Sequence, residues 1–429
     1  MATLSLYAGG TAGVCRATLE GDNLNLEVLG PQGRNISKVL VDLFEPTRIY
    51  AGGYDDGMFR SDDGGRSWNE INQGIRYKSI WSIAQHPKTG ELWVGTEPAS
   101  IFHSSDSGET WIDCHKLRDM EECVHWTFPR APHFAHVKNI ALRDDDPETV
   151  YAAIEEGWVV RSTDGGKAWE TLKQGVAFDA HAVTLVPGRP DTVLAASGAG
   201  LFRSDNRGDK FERSEEGIKA GFLGGGYMSP VAVHAARPNV MFCGAADVPP
   251  PWWFTRAEGA NGSFYRSDDE GRTWRKLSNG VPEGLRPGPV GVAIDPEDPD
   301  RVFWGTTDGT IWMTEDGGES IRKAAEGVPS RLASLVAYRG PVAPAPSAPP
   351  STDSAAAGNG HGPQIGQEYE IQIHAEIDIP FAGPNGVTRI GDADVRIPNA
   401  KKGEKYRVKV LALGPNPHTG RTEATVQKV

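Results

Sequence analysis

His133 and His136 lie just ahead of one apolar strand, and His181 holds the same place ahead of the next. Imidazoles gathered beside a carboxylate, Glu155 or Asp179, would suit zinc, iron or copper. An open position on such an ion polarises a substrate or activates water. The alternative is that these histidines bond backbone carbonyls inside a folded loop. His86 and His234 stand at the other end of such strands, next to a turn, and read as structural.

A second set of residues suits a hydroxyl-rich ligand. Trp126, Trp158, Tyr227, Trp252 and Trp253 offer stacking walls. Asp55, Asp56, Glu97, Glu155 and Glu156 offer hydroxyl acceptors, or an acid and a base. Trp252 and Trp253 follow three prolines and fit ligand contact and loop packing equally. Most of these residues fall in long or uneven loops, above all 117–137, where function commonly concentrates.

The elements that must position them are announced by a repeat. Ser61-Asp63-Gly65-Trp68 recurs as Ser104-Asp106-Gly108-Trp111, Ser162-Asp164-Gly166-Trp169 and Ser267-Asp269-Gly271-Trp274. Looser copies are Ser204-Asn206-Gly208-Phe211 and Thr314-Asp316-Gly318-Ile321. A period of about 45 to 60 residues signals a propeller or solenoid. In each copy a strand runs into a tight turn whose backbone the Ser and Asp can bond, and Gly accepts the positive φ. These carboxylates are turn staples, so chemistry is sought elsewhere.

The unit Ser-x-Asp-x-Gly-x-x-Trp resembles the Asp-box, or BNR, repeat of sialidase-like, sortilin-like and xyloglucanase-like propellers. The resemblance implies that the turn joins the third and fourth strands of a blade, on the face away from the ligand site. Activity transfers less readily. A sialidase-like site needs an arginine triad and a tyrosine nucleophile, and neither is evident. Xyloglucanase-like enzymes place their acids between two propellers, and this chain has one.

Six complete blades follow from inner strands near Val39–Phe44, Ile80–Gln85, Asn139–Leu142, Ala182–Val186, Val231–His234 and Val290–Ile294. Leu4–Gly9, Gly13–Thr18 and Asn23–Leu29 lack a first strand, which Leu332–Tyr338 would supply. The expected fold is all-β: a seven-bladed β-propeller closed by N- and C-terminal strands, plus a small C-terminal β-barrel. Closure removes sheet edges that invite aggregation. Domain limits are 1–340 for the propeller, 341–367 for a flexible Pro/Ala/Ser/Gly linker and 368–429 for the barrel.

The net charge of −13 resides almost wholly in the propeller, because residues 366–429 hold nine basic residues against eight acids. So acidic a surface argues against broad nucleic-acid binding there. The N-terminus enters a strand at once, and no apolar run is long enough to span a bilayer, so a cytoplasmic protein without membrane contact is expected. Cys15, Cys114, Cys123 and Cys243 lack zinc-type spacing and read as free thiols, with a Cys114–Cys123 disulfide as the alternative for an exported protein.

The tail alternates in five short strands from Tyr369 onward. Gly386–Ile390, Ala393–Pro398, the Lys401-Lys402-Gly403-Glu404 stretch and Tyr406–Val410 resemble a TRAM domain, an OB-like barrel associated with RNA-modifying enzymes. The resemblance implies RNA contact through Lys401, Lys402, Lys405, Arg407 and Lys409. Against it stand the tail's near-neutral charge and few aromatics, since single-strand binding pairs stacking platforms with a basic groove. A packing or oligomerisation module is the alternative.

Two functions fit these features. One is a ligand-binding propeller that is also a metal-dependent hydrolase or lyase for a small or sugar-like substrate, with Glu155 and Asp179 catalytic and His133, His136 and His181 on the metal. The other is a non-catalytic scaffold for a protein or glycan partner, whose tail contacts RNA or another chain.

Overall fold

The chain's short strands build radial four-stranded sheets in a computed structural model. It describes residues 3–340 except 22, 131, 220, 222–223, 327 and 329–333, and, in the tail, six strands. The stretch 341–367 expected as a linker lies outside the described residues.

Seven blades are present. In chain order their inner strands are Ile36–Val41, Ser79–Gln85, His136–Leu142, Ala180–Val186, the broken pair Tyr227–Met228 and Ala232–His234, Pro289–Asp295, and Ser334–Gly340. Blades one to seven take these inner strands in turn. In blade seven Ser334–Gly340 pairs antiparallel with Thr3–Gly10, from Thr3 opposite Gly340 to Gly9 opposite Ser334. The far end of the domain therefore closes the ring, as expected. Arg339 in the closing strand bonds Asp295 at the end of blade six through Nε and Nη2, each at 2.6 Å. Arg301 reaches the same fully buried carboxylate at 3.1 Å.

Large side chains fill the wedges between blades. Trp93, Ile101 and Cys114 from blade two pack with Val137, Val150 and Val160 from blade three. Phe242 and Phe264 from blade five meet Trp304 and Trp312 from blade six.

The repeated turns form as their residue types dictate. The Ser61 hydroxyl donates to Asp63 at 2.8 Å and accepts from Gly65 N–H at 2.8 Å. Asp63 accepts from the N–H groups of Arg66 and Ser67, both at 2.9 Å. Gly65 takes φ +93°, and a Cβ there would stand 2.7 Å from Leu29 of the preceding blade. Indoles complete the joint: Trp68 Nε1 donates to Leu29 O at 3.1 Å and Trp111 Nε1 to Ile71 O at 2.8 Å, each across a blade boundary. Bonds from Thr110 hydroxyl and N–H and from Ser104 hydroxyl hold the Asp106 carboxyl down at about 2.

Strand direction decides which face is which. The turn after each third strand lies at one end of the disc; the connection into each inner strand and the turn after each second strand lie at the other. The histidine-bearing segment before blade three and the tryptophan pair after the second strand of blade five therefore emerge on the same side.

The tail forms a six-stranded sheet where five strands were expected, with Ala375–Ile379 the addition. The short alternation Glu376-Ile377-Asp378-Ile379 ends at a proline, a residue sheets confine to edges, and this strand lies at one end of the sheet order. Among the described residues all four cysteines are free, and no helix is long and apolar enough to cross a membrane.

Two measurements check the stapled turns. Trp111→Ala should lower unfolding free energy by about 3–5 kcal/mol in urea titrations. Because Asp106 is depressed in the folded state, the stabilisation it contributes is complete above about pH 4 and is lost as pH falls toward about 2. Asp106→Asn should then unfold with a flatter dependence on pH across that window; an unchanged slope would show that this carboxylate does not link folding to protons.

Candidate functional site

Inner strands must run straight to line the channel, yet five of them carry an extra residue near their leading ends. Pairing slips between Ile36 and Lys38, Ile80 and Ser82, Val137 and Asn139, Ala180 and Ala182, and Pro289 and Gly291. An inserted residue bends the strand and re-aims its side chain. The inserted residues are Ser37, Trp81, Lys138, His181 and Val290. Three of them meet at a buried cluster around Glu155.

Glu155 ends the second strand of blade three, directly opposite His136 at the start of the inner strand. His136 Nε2 lies 2.6 Å from Glu155 Oε2, and Lys138 Nζ lies 2.7 Å from the same oxygen. Burial alone would raise the Glu155 carboxyl, but the Lys138 ammonium and then His136 hold it well below the usual range. Its other oxygen, Oε1, lies 3.8 Å from His181 Nε2, and Asp179 Oδ1 lies 3.2 Å from that nitrogen. His181 Nδ1 donates to the Met228 carbonyl at 3.1 Å.

Asp179 keeps its place because residue 198 is glycine: a Cβ there would stand 2.0 Å from Asp179 Oδ2. Burial would raise Asp179, and the neighbouring His181 nevertheless holds it low. Glu156, next in the turn, moves the other way: burial, then the charges of Asp179 and Glu155, raise its carboxyl above the ordinary value. Lys38 is brought down to about 8 by burial and the like charge of Lys138, against the opposing pull of Glu155.

Aromatic rings wall the cluster. Trp81 stacks on His136 with centroids 3.5 Å apart, Phe128 meets the same imidazole edge-on at 4.9 Å, and Tyr54 meets Trp81 at 5.1 Å. On the other side His181 lies 4.4 Å from Tyr227, and Tyr227 lies 5.7 Å from Trp253. Several buried polar atoms here have no hydrogen-bond partner: Trp81 Nε1, Glu97 Oε2, Trp126 Nε1, His136 Nδ1, Asp179 Oδ1 and His181 Nε2. Four of these atoms face one another as ion pairs, His136 Nδ1 with Glu97 Oε2 at 3.4 Å and His181 Nε2 with Asp179 Oδ1 at 3.2 Å. Buried polar groups are nearly always satisfied, so the cluster is a candidate place for a polar ligand or ion.

The structure sorts the residues expected from sequence. It brings together Glu155, Asp179, His136, His181, Glu97 and Tyr227. His133 is not among them: its ring is exposed and donates to Phe128 O at 2.8 Å, on a backbone with φ 67° that turns the loop before the strand begins. The loop-bonding alternative therefore holds for His133. Trp126 packs over Gly157 and is half-buried, and Trp158 sits edge-on to Phe178 at 4.5 Å. Asp55 is exposed on its turn, while Asp56 is paired with Arg34 at 2.5 Å. Trp252 is exposed, whereas Trp253 is buried against Gly288 and donates to Val248 O at 2.6 Å, so Trp253 packs its own loop.

His86 and His234 bond the carbonyls of Arg143 and Pro296, as structural histidines should. In the tail Lys405 and Arg407 are exposed, and Arg407 pairs with Glu370 at 3.0 Å. Lys401 and Lys402 lie outside the described residues, as does the side chain of Lys409. Sequence reading missed Trp81, Lys138 and Lys38; aligning the inner strands would have placed Ser37, Trp81, Lys138 and His181 at one equivalent position.

No protein-family model matches the chain. A curated protein, the probable oligoxyloglucan-reducing end-specific xyloglucanase of Neosartorya fischeri, is 24% identical over 341 residues, covering 70% of this chain and 36% of its own length. The chain thus spans about a third of that relative. Among solved structures, the GH74 enzyme of Niastella koreensis superposes with a TM-score of 0.55 at 12% identity, over 92% of this chain and 66% of that one. The GH74 xyloglucanase of Xanthomonas campestris gives 0.57 at 15%, over 96% of this chain and 60% of that one. These superpositions establish the propeller fold.

Removing one partner of a buried ion pair strands the other charge. Lys138→Met should therefore destabilise the propeller by about 3 kcal/mol in denaturant titration, whereas a loss below about 1 kcal/mol would mean that His136 alone satisfies Glu155.

Proposed function

We propose that the protein binds a glycan in the aromatic-walled mouth of the channel and hydrolyses a glycosidic bond there. The observation that carries this reading is the gathering of Glu155, Asp179 and Glu97 among the rings of Trp81 and Tyr227 on one face of the disc. Beside it two carboxyls diverge, Glu156 raised and Asp179 lowered. Such a pair divides acid from base in one site. Glu156 holds the proton that passes to the leaving oxygen as the C–O bond breaks. Asp179 takes a proton from the water that adds to the sugar carbon. Glu155, saturated on one oxygen by His136 and Lys138, fixes the electrostatics between them.

Trp81, Trp126, Trp158 and Tyr227 supply faces on which sugar rings stack, and Glu97 offers an acceptor for hydroxyls. The similarity to a xyloglucanase supports a plant-type β-glucan oligosaccharide as the first substrate class to try. The stapled turns support assigning the repeats to the Asp-box kind, with the glycan on the opposite face.

The test is release of reducing ends from xyloglucan oligosaccharides. Glu156→Gln and Asp179→Asn should each lower kcat by about 10² to 10⁴-fold while oligosaccharide binding persists. Activity should fall as pH rises through the elevated Glu156 value and as pH drops through the depressed Asp179 value. Hydrolysis undiminished in both variants would contradict the assignment, and failure to bind any oligosaccharide would remove the glycan reading.

A further inference from the structure

His181 is fixed by its Nδ1 bond to the Met228 carbonyl, so the remaining nitrogen, Nε2, is what faces the carboxylates. Nδ1 donates to that carbonyl, so an ion bound at Nε2 would take the ring's other lone pair. That nitrogen is buried, the His181 side chain being only 2% exposed. It stands 3.2 Å from Asp179 Oδ1 and 3.8 Å from Glu155 Oε1, yet neither it nor Asp179 Oδ1 makes a hydrogen bond. Nε2 therefore faces one oxygen of each carboxylate. Three potential ligand atoms thus converge in a buried setting.

The geometry points to a divalent transition-metal ion at this point, held by His181 Nε2, Asp179 and Glu155. One donor atom from each of the three lies within 4.8 Å of the others. Two bonds of about 2.0–2.2 Å at a tetrahedral angle place their donors about 3.3–3.6 Å apart, close to the 3.2 and 3.8 Å that separate His181 Nε2 from the two carboxylates. Mixed imidazole and carboxylate donors suit zinc or iron better than calcium. The outer partners are those that ligands of a metal commonly have: His181 is oriented by a carbonyl, and Glu155 Oε2 by His136 and Lys138, which leaves Oε1 free to turn inward.

This site replaces the three-histidine set expected from sequence: His133 is absent from it, and His136 serves behind Glu155. The ion's remaining positions would take water or a sugar hydroxyl. Its existence does not depend on glycan hydrolysis; only its role there does, as the holder of the water that Asp179 addresses.

The experiment uses Zn²⁺ alone, titrated calorimetrically into full-length protein stripped with a chelator, with no glycan present. One ion per chain is expected. Affinity should fall at least tenfold in His181→Gln and Asp179→Asn and stay unchanged in His133→Ala. A zinc-edge anomalous peak within about 2.3 Å of His181 Nε2 would locate the ion even if those variants fold poorly. No uptake by the wild type, undiminished uptake by His181→Gln, or a peak elsewhere would overturn the site and assign the positive charge at this point to a protonated His181. Glycan hydrolysis measured separately with and without chelator keeps the two proposals apart.

Discussion

Closure of the ring is the constraint on which everything else rests. Seven sheets converge on one axis only because Ser334–Gly340 pairs with the first strand of the chain and Arg339 locks onto the buried Asp295 of the neighbouring blade. Without that pairing two sheet edges would be left open, and the leading ends of the inner strands would no longer face one another across the channel. Glu155, Asp179 and His181 come from blades three and four and their joining segments, and Tyr227 from blade five. Their meeting is a property of the closed circle rather than of any local sequence.

The two faces of the disc divide the labour by the same geometry. On one, hydroxyl, carboxylate and glycine saturate each other and the backbone within every stapled turn, and depressed carboxyls such as Asp106 are already fully bonded. On the other, carboxylates and imidazoles lie close but leave polar atoms unsatisfied. Satisfied clusters stabilise; unsatisfied buried ones are retained where a ligand completes them. That contrast separates the acidic groups of the stapled turns from those proposed to act on a ligand.

The stapled turns were legible because Ser61, Asp63 and Gly65 each meet a backbone requirement at a fixed offset, so their spacing betrays the turn. Blade closure followed from the same periodicity, since three strands at one end lacked a partner that the other end supplied. Glu155, Asp179 and His181 were legible as chemistry-bearing types at strand ends. Lys138 and Trp81 were not, because their place depends on an inserted residue in each strand, and alternation read along one strand cannot reveal which residue falls out of register. His133 differs for a related reason: only two residues lie between it and His136, but a left-handed backbone turn aims it into its own loop. Trp253 looked equivalent to Trp252, and only the close approach of Gly288 shows that it packs inward.

The most direct test is a crystal structure of the protein grown with a xyloglucan oligosaccharide. Sugar density is expected in the channel mouth, against Trp81 and Tyr227, with a glycosidic oxygen within hydrogen-bond reach of Glu156. Density on the face of the stapled turns or along the outer blade edges, with the mouth occupied by solvent alone, would contradict it.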